Sequence, residues 1–269
     1  MKPLAVIMSV YAADELQFVK QAVESVLQQS FANYDFYILA DGVVRDDVEQ
    51  YLGSVNDERL HFRLRQQNVG LAKSLNELLG IVLPLKYTYI ARMDADDVAL
   101  PMRFEKQLLY LENHADIDCV GSWAIEIDAN GNEYFRKQMP QTHDECRSFF
   151  KKRDCMIHPT VVFRNTYFEK AGLYPEDTYF GEDTMMWANG FANGCKFANL
   201  PEYLYLFRLN EQFFSRRRGW KHAKSIYQLR HRVNKLLHYG FTAELYAIMY
   251  AMAKMLPTKL LDIVYKTAR

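Results

Sequence analysis

The sequence lacks most of the short motifs that mark nucleotide-binding and hydrolytic sites. It has no G-x-G-x-x-G, so a dinucleotide fingerprint is missing, and no G-x-x-x-x-G-K-[ST] phosphate loop. G-x-S-x-G is absent, which removes the usual nucleophile of an α/β hydrolase, and none of the seven histidines forms H-E-x-x-H. The four cysteines, Cys119, Cys146, Cys155 and Cys195, include no C-x-x-C pair. Neither a zinc site nor a disulfide framework is indicated, and a reducing, cytoplasmic compartment fits best. No apolar run is long enough to span a bilayer. Net charge is missing too: 33 basic residues balance 33 acidic ones, which argues against a surface built to track nucleic acid. The balance is uneven along the chain, with acids gathered in the first two thirds and Arg and Lys after Phe207.

What is present is an ordinary globular composition, 49% hydrophobic over 269 residues, enough to bury a substantial core. Leu4 to Met8 superficially resembles the start of a signal peptide, but Ser9 and Tyr11 break the run and a first buried strand, Leu4 to Val10, accounts for it. Asp14-Glu15-Leu16-Gln17 reads as a helix N-terminus with Asp14 as cap. Leu16, Val19, Val23, Val26 and Leu27 then line one helical face.

Phe36 to Ala40 predicts a strand ending in Asp41-Gly42, followed by a short helix through Val48 and Leu52 and an alternating strand from Leu60 to Leu64. Asn68-Val69-Gly70 is a turn before the helical spacing of Leu71, Leu75, Leu78 and Leu79. Strand and helix thus alternate, with polar or acidic residues at strand ends. This is the pattern of an open, mostly parallel α/β sheet, whose ligands sit beyond the carboxyl ends of the strands. Tyr11, Asp41 and the Asp94 to Asp97 cluster all fall there.

Farther on, Pro101 suits the first position of a helix through Phe104, Leu108 and Leu111. A strand from Cys119 leads to Asp128-Ala129-Asn130-Gly131, whose Asn-Gly favours a hairpin. His158 to Phe163 predicts another strand. Tyr174-Pro175 opens a loop, with Tyr179 in it, to Gly181-Glu182-Asp183. Asp183 begins or caps a helix in which Trp187 is a core residue.

From Arg216-Arg217-Arg218 through Lys221, Lys224, Arg230, Arg232 and Lys235, basic residues alternate with Trp220, Ile226, Leu229, Val233 and Leu237 as a basic amphipathic helix. Phe241 to Leu256 and, past Pro257, Leu260 to Lys266 follow. Such helices lie in a membrane interface, or pack on the domain or on a second subunit.

The chemistry concentrates in Tyr89 to Asp97, an apolar run that ends in three carboxylates within four residues. The cluster is either an acidic turn capping the next helix or a hard-cation site, suited to Mg²⁺ or Mn²⁺ held jointly with phosphates. Asp41 is placed to accept hydrogen bonds from a base, and Asn68 and Lys73 stand on the nucleotide side of the crevice.

Pro3 to Tyr11, Asp41-Gly42, Asn68 to Asn76, Ala91 to Asp97, His158-Pro159-Thr160 and Glu182-Asp183, in this order and with these separations, resemble glycosyltransferase family 2 over roughly Pro3 to Arg218. The resemblance implies a GT-A fold and inverting transfer from a nucleotide sugar, usually a UDP-sugar, with a divalent metal, Mn²⁺ or Mg²⁺. Asp41 resembles the acid that reads the uracil, Asp94 the one near the ribose, Asp96 the metal ligand of D-x-D and Asp183 the catalytic base. Backbone around Ser9, Val10 and Tyr11 would hold the nucleotide, with Asn68 and Lys73 nearby; Asp97 is a helix-leading or supporting acid. The chain departs from the family pattern at Ala40, where many relatives carry a second acid, and at Arg208-Leu209-Asn210, where relatives often show Arg-x-His.

These readings divide the chain into a GT-A catalytic domain over 1–210, with a donor half to about 120 and an acceptor half beyond it, and a helical tail over 211–269. The expected partners are a nucleotide-sugar donor and a saccharide acceptor, lipid-linked, met on the cytoplasmic face of a bacterial inner membrane during polysaccharide assembly. A homodimer through the tail is the other use of those helices, and no nucleic-acid partner is expected. Two alternatives remain. A catalytically silent nucleotide-sugar-binding scaffold would have little need for both D-x-D and Glu182-Asp183. A nucleotidyltransferase would carry a Gly-rich phosphate loop where Ser9-Val10-Tyr11 stands.

Overall fold

The computed structural model describes residues 2–178, 180–209 and 219–256; Tyr179, Asn210, Arg216 to Arg218 and the Leu260 to Lys266 segment lie outside the described residues. Leu4–Val10 forms β1, followed by α1 (Leu16–Leu27), β2 (Tyr34–Ala40), α2 (Asp46–Ser54), β3 (Leu60–Leu64), α3 (Leu71–Val82) and β4 (Tyr89–Asp94). These four strands are parallel in the order β3-β2-β1-β4. β1 is apolar but for Ser9 because both of its faces are covered. Val6, Met8 and Val10 meet Val19 and Val23 of α1 on one side, while Ala5 and Ile7 meet Leu75 and Leu78 of α3 on the other.

The second half mixes directions. β5 (Val98–Ala99), α4 (Arg103–Asn113), β6 (Cys119–Ile127), β7 (Glu133–Lys137), α5 (His143–Phe150), β8 (Val162–Arg164), α6 (Thr166–Ala171), α7 (Glu182–Ala192) and β9 (Phe197–Arg208) complete the domain. β8 joins β4 antiparallel and passes the sheet to β6, which runs parallel to β9. The expected hairpin is formed by β6 and β7.

Three local expectations are corrected. His158 to Thr160 is a 3-10 turn and only Val162–Arg164 is strand, since Pro159 has no N–H for a ladder. Pro101 lies in the turn before α4, which starts at Arg103. Asp97 leads into β5, not a helix.

The C-terminal extension is a helical hairpin, α8 (Trp220–Leu236) and α9 (Phe241–Ala253). Leu229 and Val233 of α8, with Leu237 just past its end, enter the core that contains Trp187 of α7. The polar face of α8 is therefore incomplete: Arg230 is buried. Among the described residues no helix is long and apolar enough to cross a membrane.

Candidate active site

Parallel register assembles the site. Ser9 of β1 is level with Leu39 of β2 and Asp94 of β4, and Val10 is level with Ala40. Tyr11, Asp41 and Asp94 to Asp97 consequently emerge from one end of neighbouring strands, the end where open α/β sheets take ligands.

Asp41 is almost fully buried, at 3% exposure, and its bonds explain why. Its N–H donates to the Val10 carbonyl at 2.7 Å. Oδ1 accepts the Val69 N–H at 2.8 Å and pairs with the Arg65 guanidinium, while Oδ2 accepts the Gly70 N–H at 2.9 Å. Asn68 Nδ2 donates to the Asp41 carbonyl at 3.0 Å. Asp41 thus anchors the 68–70 loop, and a ligand donor would share its carboxylate with that loop. Gly42 makes the approach possible: φ is +86°, and a Cβ there would lie 2.6 Å from the Asn68 nitrogen. Lys73, in the first turn of α3, is exposed and has no ion-pair partner among the described residues.

Asp94, Asp96 and Asp97 each present an oxygen within 4.8 Å of the others. Burial and the charge of Asp94 push Asp96 up to about 6, and burial with the Asp96 and Asp94 charges pushes Asp97 well above the usual carboxylate range. Oδ2 of Asp97 is buried without a hydrogen-bond partner. Clustered hard oxygens, mutual repulsion and an orphaned acceptor all fit a divalent cation of the Mg²⁺ or Mn²⁺ type.

Several contributors were not legible as such. Asp14 is not the cap of α1, whose N-cap is Glu15. Its Oδ2 accepts the Tyr11 N–H at 2.8 Å, and burial together with the Asp96 and Asp94 charges pushes it up to about 8. Its spacing to α1 imitates a cap; only the fold brings it beside the D-x-D. Arg92 lies buried beneath Asp94, with which it forms an ion pair. Arg208 holds the loop from β9: its Nε donates to the Asp96 carbonyl at 2.8 Å and its Nη2 to Gln21 Oε1 at 2.6 Å.

Asp183 stands inside the first turn of α7, where Gly181 is the N-cap in a left-handed conformation. Its Oδ1 accepts the Thr184 N–H at 2.7 Å. Tyr174 is close enough to Arg92, Asp183 and Glu182 to feel their charges. It is buried, with its hydroxyl 2.9 Å from His158 Nε2. Asn76 pins its backbone with two 2.9 Å bonds. His158 is kept neutral by burial and by the Arg92 charge.

A curled α/β sheet with helices on both faces and a carboxylate trio at its strand ends defines a GT-A class protein. The mannosyltransferase PcManGT of Pyrobaculum calidifontis, solved with GDP-Man and Mn²⁺, shares this fold at a TM-score of 0.63 and 14% identity, over 99% of this chain and 80% of its own. The sequence profile described as Glycosyl transferase family 2 matches residues 5–172. The amylovoran biosynthesis glycosyltransferase AmsE of Erwinia amylovora is 31% identical over 98% of both chains. The UDP-Gal:alpha-D-GlcNAc-diphosphoundecaprenol beta-1,3-galactosyltransferase of Escherichia coli is 26% identical over 97% of this chain and 94% of its own. The chain belongs to glycosyltransferase family 2.

Proposed function

We propose that this protein is an inverting glycosyltransferase that moves a sugar from a UDP-sugar to a hydroxyl of a lipid-linked saccharide during polysaccharide assembly. The observation that carries the reading is the convergence of Tyr11, Asp41 and the carboxylate trio at one end of the parallel strands. The donor and the lipid carrier are suggested by the E. coli relative, and the polysaccharide context by AmsE. We place the donor half before about residue 120 and the acceptor half after it.

In this mechanism Asp41, Asn68 and Lys73 hold the nucleotide together with backbone from Ser9 to Tyr11, and Asp94 faces the ribose. Asp96, with Asp97 Oδ2 beside it, would hold Mn²⁺ or Mg²⁺, which when bound neutralises charge on the leaving diphosphate. Asp183 takes the proton of the acceptor hydroxyl as its oxygen bonds to the anomeric carbon. The bond from that carbon to the diphosphate oxygen breaks on the opposite face, and its electron pair leaves with UDP. A base so placed contributes about 10²–10⁴-fold.

Screening nucleotide sugars for Mn²⁺-dependent release of the nucleoside diphosphate tests donor and reaction together. Asp183→Asn should lose transfer by about 10²–10⁴-fold while UDP still binds. Near-normal turnover would remove Asp183 as the base, and UDP release from no donor would favour a silent scaffold.

The acceptor is met at a bilayer surface. Phe241, Leu245, Ile248, Met249 and Met252 form an exposed apolar stripe on α9, opposite Ala243 and Ala247, which pack inward. Lys221, Lys224, Arg232, Lys235 and Lys254 accompany it on the hairpin, whose single acid between Gly219 and Leu256 is Glu244. An apolar stripe with basic flanks matches an anionic lipid surface, each cation near it contributing about 1 kcal/mol. On this reading the enzyme is a peripheral protein of the cytoplasmic face; a homodimer through the same stripe is the competing use.

A further inference from the structure

Helix α8 grips the segment that carries Asp183. Leu229 packs on Gly181 so closely that a Cβ at Gly181 would lie 2.2 Å from Leu229 Cδ2. Arg232 Nη1 bonds Asp177 Oδ2 at 2.7 Å, and the His222 ring meets Phe180 edge-on at 5.2 Å. The fourth grip is polar, with Arg230 buried and Asp154 partly exposed. Arg230 donates to the Phe150 carbonyl, and its Nη1 lies 3.5 Å from Asp154 Oδ1. Both oxygens of Asp154 are 2.9 Å from the Thr184 hydroxyl, which donates to them. The N–H of the same threonine donates to Asp183 Oδ1 at 2.7 Å.

We propose that α8 is a positioning element for Asp183, with Arg230 acting through Asp154 and Thr184. The inference rests on the reading of Asp183 as the base. Thr184 holds one Asp183 oxygen through its backbone, so the setting of that carboxylate follows the setting of the first turn of α7. The Thr184 side chain fixes this turn only while Asp154 stays in place, and Arg230 is the cation beside Asp154. Burying a guanidinium is costly and an apolar residue of similar length would pack the same space. A purely packing role therefore does not account for an arginine there: its Nη2 holds the Phe150 carbonyl, and its Nη1 is the cation beside Asp154. The C-terminal hairpin is on this view part of the catalytic apparatus, and displacement of α8 would detune the base without touching the nucleotide.

The test uses the full-length protein with Thr184→Val, Asp154→Asn and Arg230→Met, singly and in pairs. Turnover is followed by UDP release with the donor found by screening, UDP affinity by calorimetry in Mn²⁺, and folding by thermal melting. Thr184→Val and Arg230→Met should each lower kcat by about 10- to 100-fold, the scale of a displaced catalytic group. UDP affinity and donor KM should stay at the wild-type level. Asp154→Asn, which still offers an oxygen to the Thr184 hydroxyl, should fall between them and wild type. The Thr184→Val/Arg230→Met pair should be no worse than its more damaging single.

Wild-type kcat in a folded Thr184→Val overturns the proposal, as does a kcat loss that tracks UDP affinity or melting temperature. If Arg230→Met does not fold, Thr184→Val, which keeps the side-chain volume, decides the matter. An inactive Asp183→Asn beside a normal Thr184→Val removes the coupling alone. An active Asp183→Asn removes the base.

Discussion

Oδ1 of Asp97 accepts the backbone N–H of Arg208 at 2.7 Å, joining the carboxylate loop after β4 to the end of β9. The Arg208 side chain completes the clamp on the Asp96 and Asp128 carbonyls and on Gln21. Arg208→Met should cost about 1–3 kcal/mol, because several charge-assisted bonds to part-buried acceptors are lost. Urea denaturation measures the loss, and Mn²⁺ affinity should fall with it. Wild-type stability would mean that water replaces the guanidinium without penalty.

Metal affinity should depend on pH through Asp96, raised to about 6, and Asp14, raised to about 8. A cation binds the deprotonated acids, so affinity should rise from pH 5 to pH 8 and protons should be released on binding. Calorimetry in buffers of different ionisation enthalpy reads the protons directly. Asp14→Asn should flatten the upper part of the profile; an unchanged profile would separate Asp14 from the site.

Gly42→Ala should loosen the 68–70 loop. The left-handed φ costs about 1 kcal/mol for alanine, and the contact 2.6 Å from the Asn68 nitrogen demands a backbone shift as well. UDP affinity is expected to drop while the thermal transition stays cooperative. Unaltered UDP binding would show that the loop does not touch the nucleotide.

Phe241→Ser combined with Met249→Ser and Met252→Ser should abolish co-sedimentation with vesicles of anionic phospholipid, with turnover on a soluble acceptor preserved. Wild type should bind neutral vesicles far less. Light scattering that shows a dimer broken by the same changes would assign the stripe to a second subunit instead.

Much of the N-terminal half was legible because its signals are local. Leu4 to Val10 and Phe36 to Ala40 are mostly apolar runs of strand length, and each ends beside a polar residue of the candidate site. Asp14 misled because a cap and a ligand-side acid occupy the same position relative to α1. The Pro159 segment misled because its apolar run has the look of a strand although Pro159 lacks the N–H that a ladder needs. Arg230 read as one cation of a solvated face, since neighbouring Arg232 and Lys235 are exposed and only packing against α5 and α7 turns it inward.

The sequence by itself determined the alternation of strands and helices, the acids at strand ends and the family resemblance, all of which depend on residues close together in the chain. Tertiary structure decided what each acid faces. Asp41 is spent largely on the 68–70 loop, Asp97 on Arg208, and Asp183 is coupled through Thr184 and Asp154 to α8. Those partners lie tens of residues away, and parallel register and helix packing, not local spacing, bring them within hydrogen-bond distance.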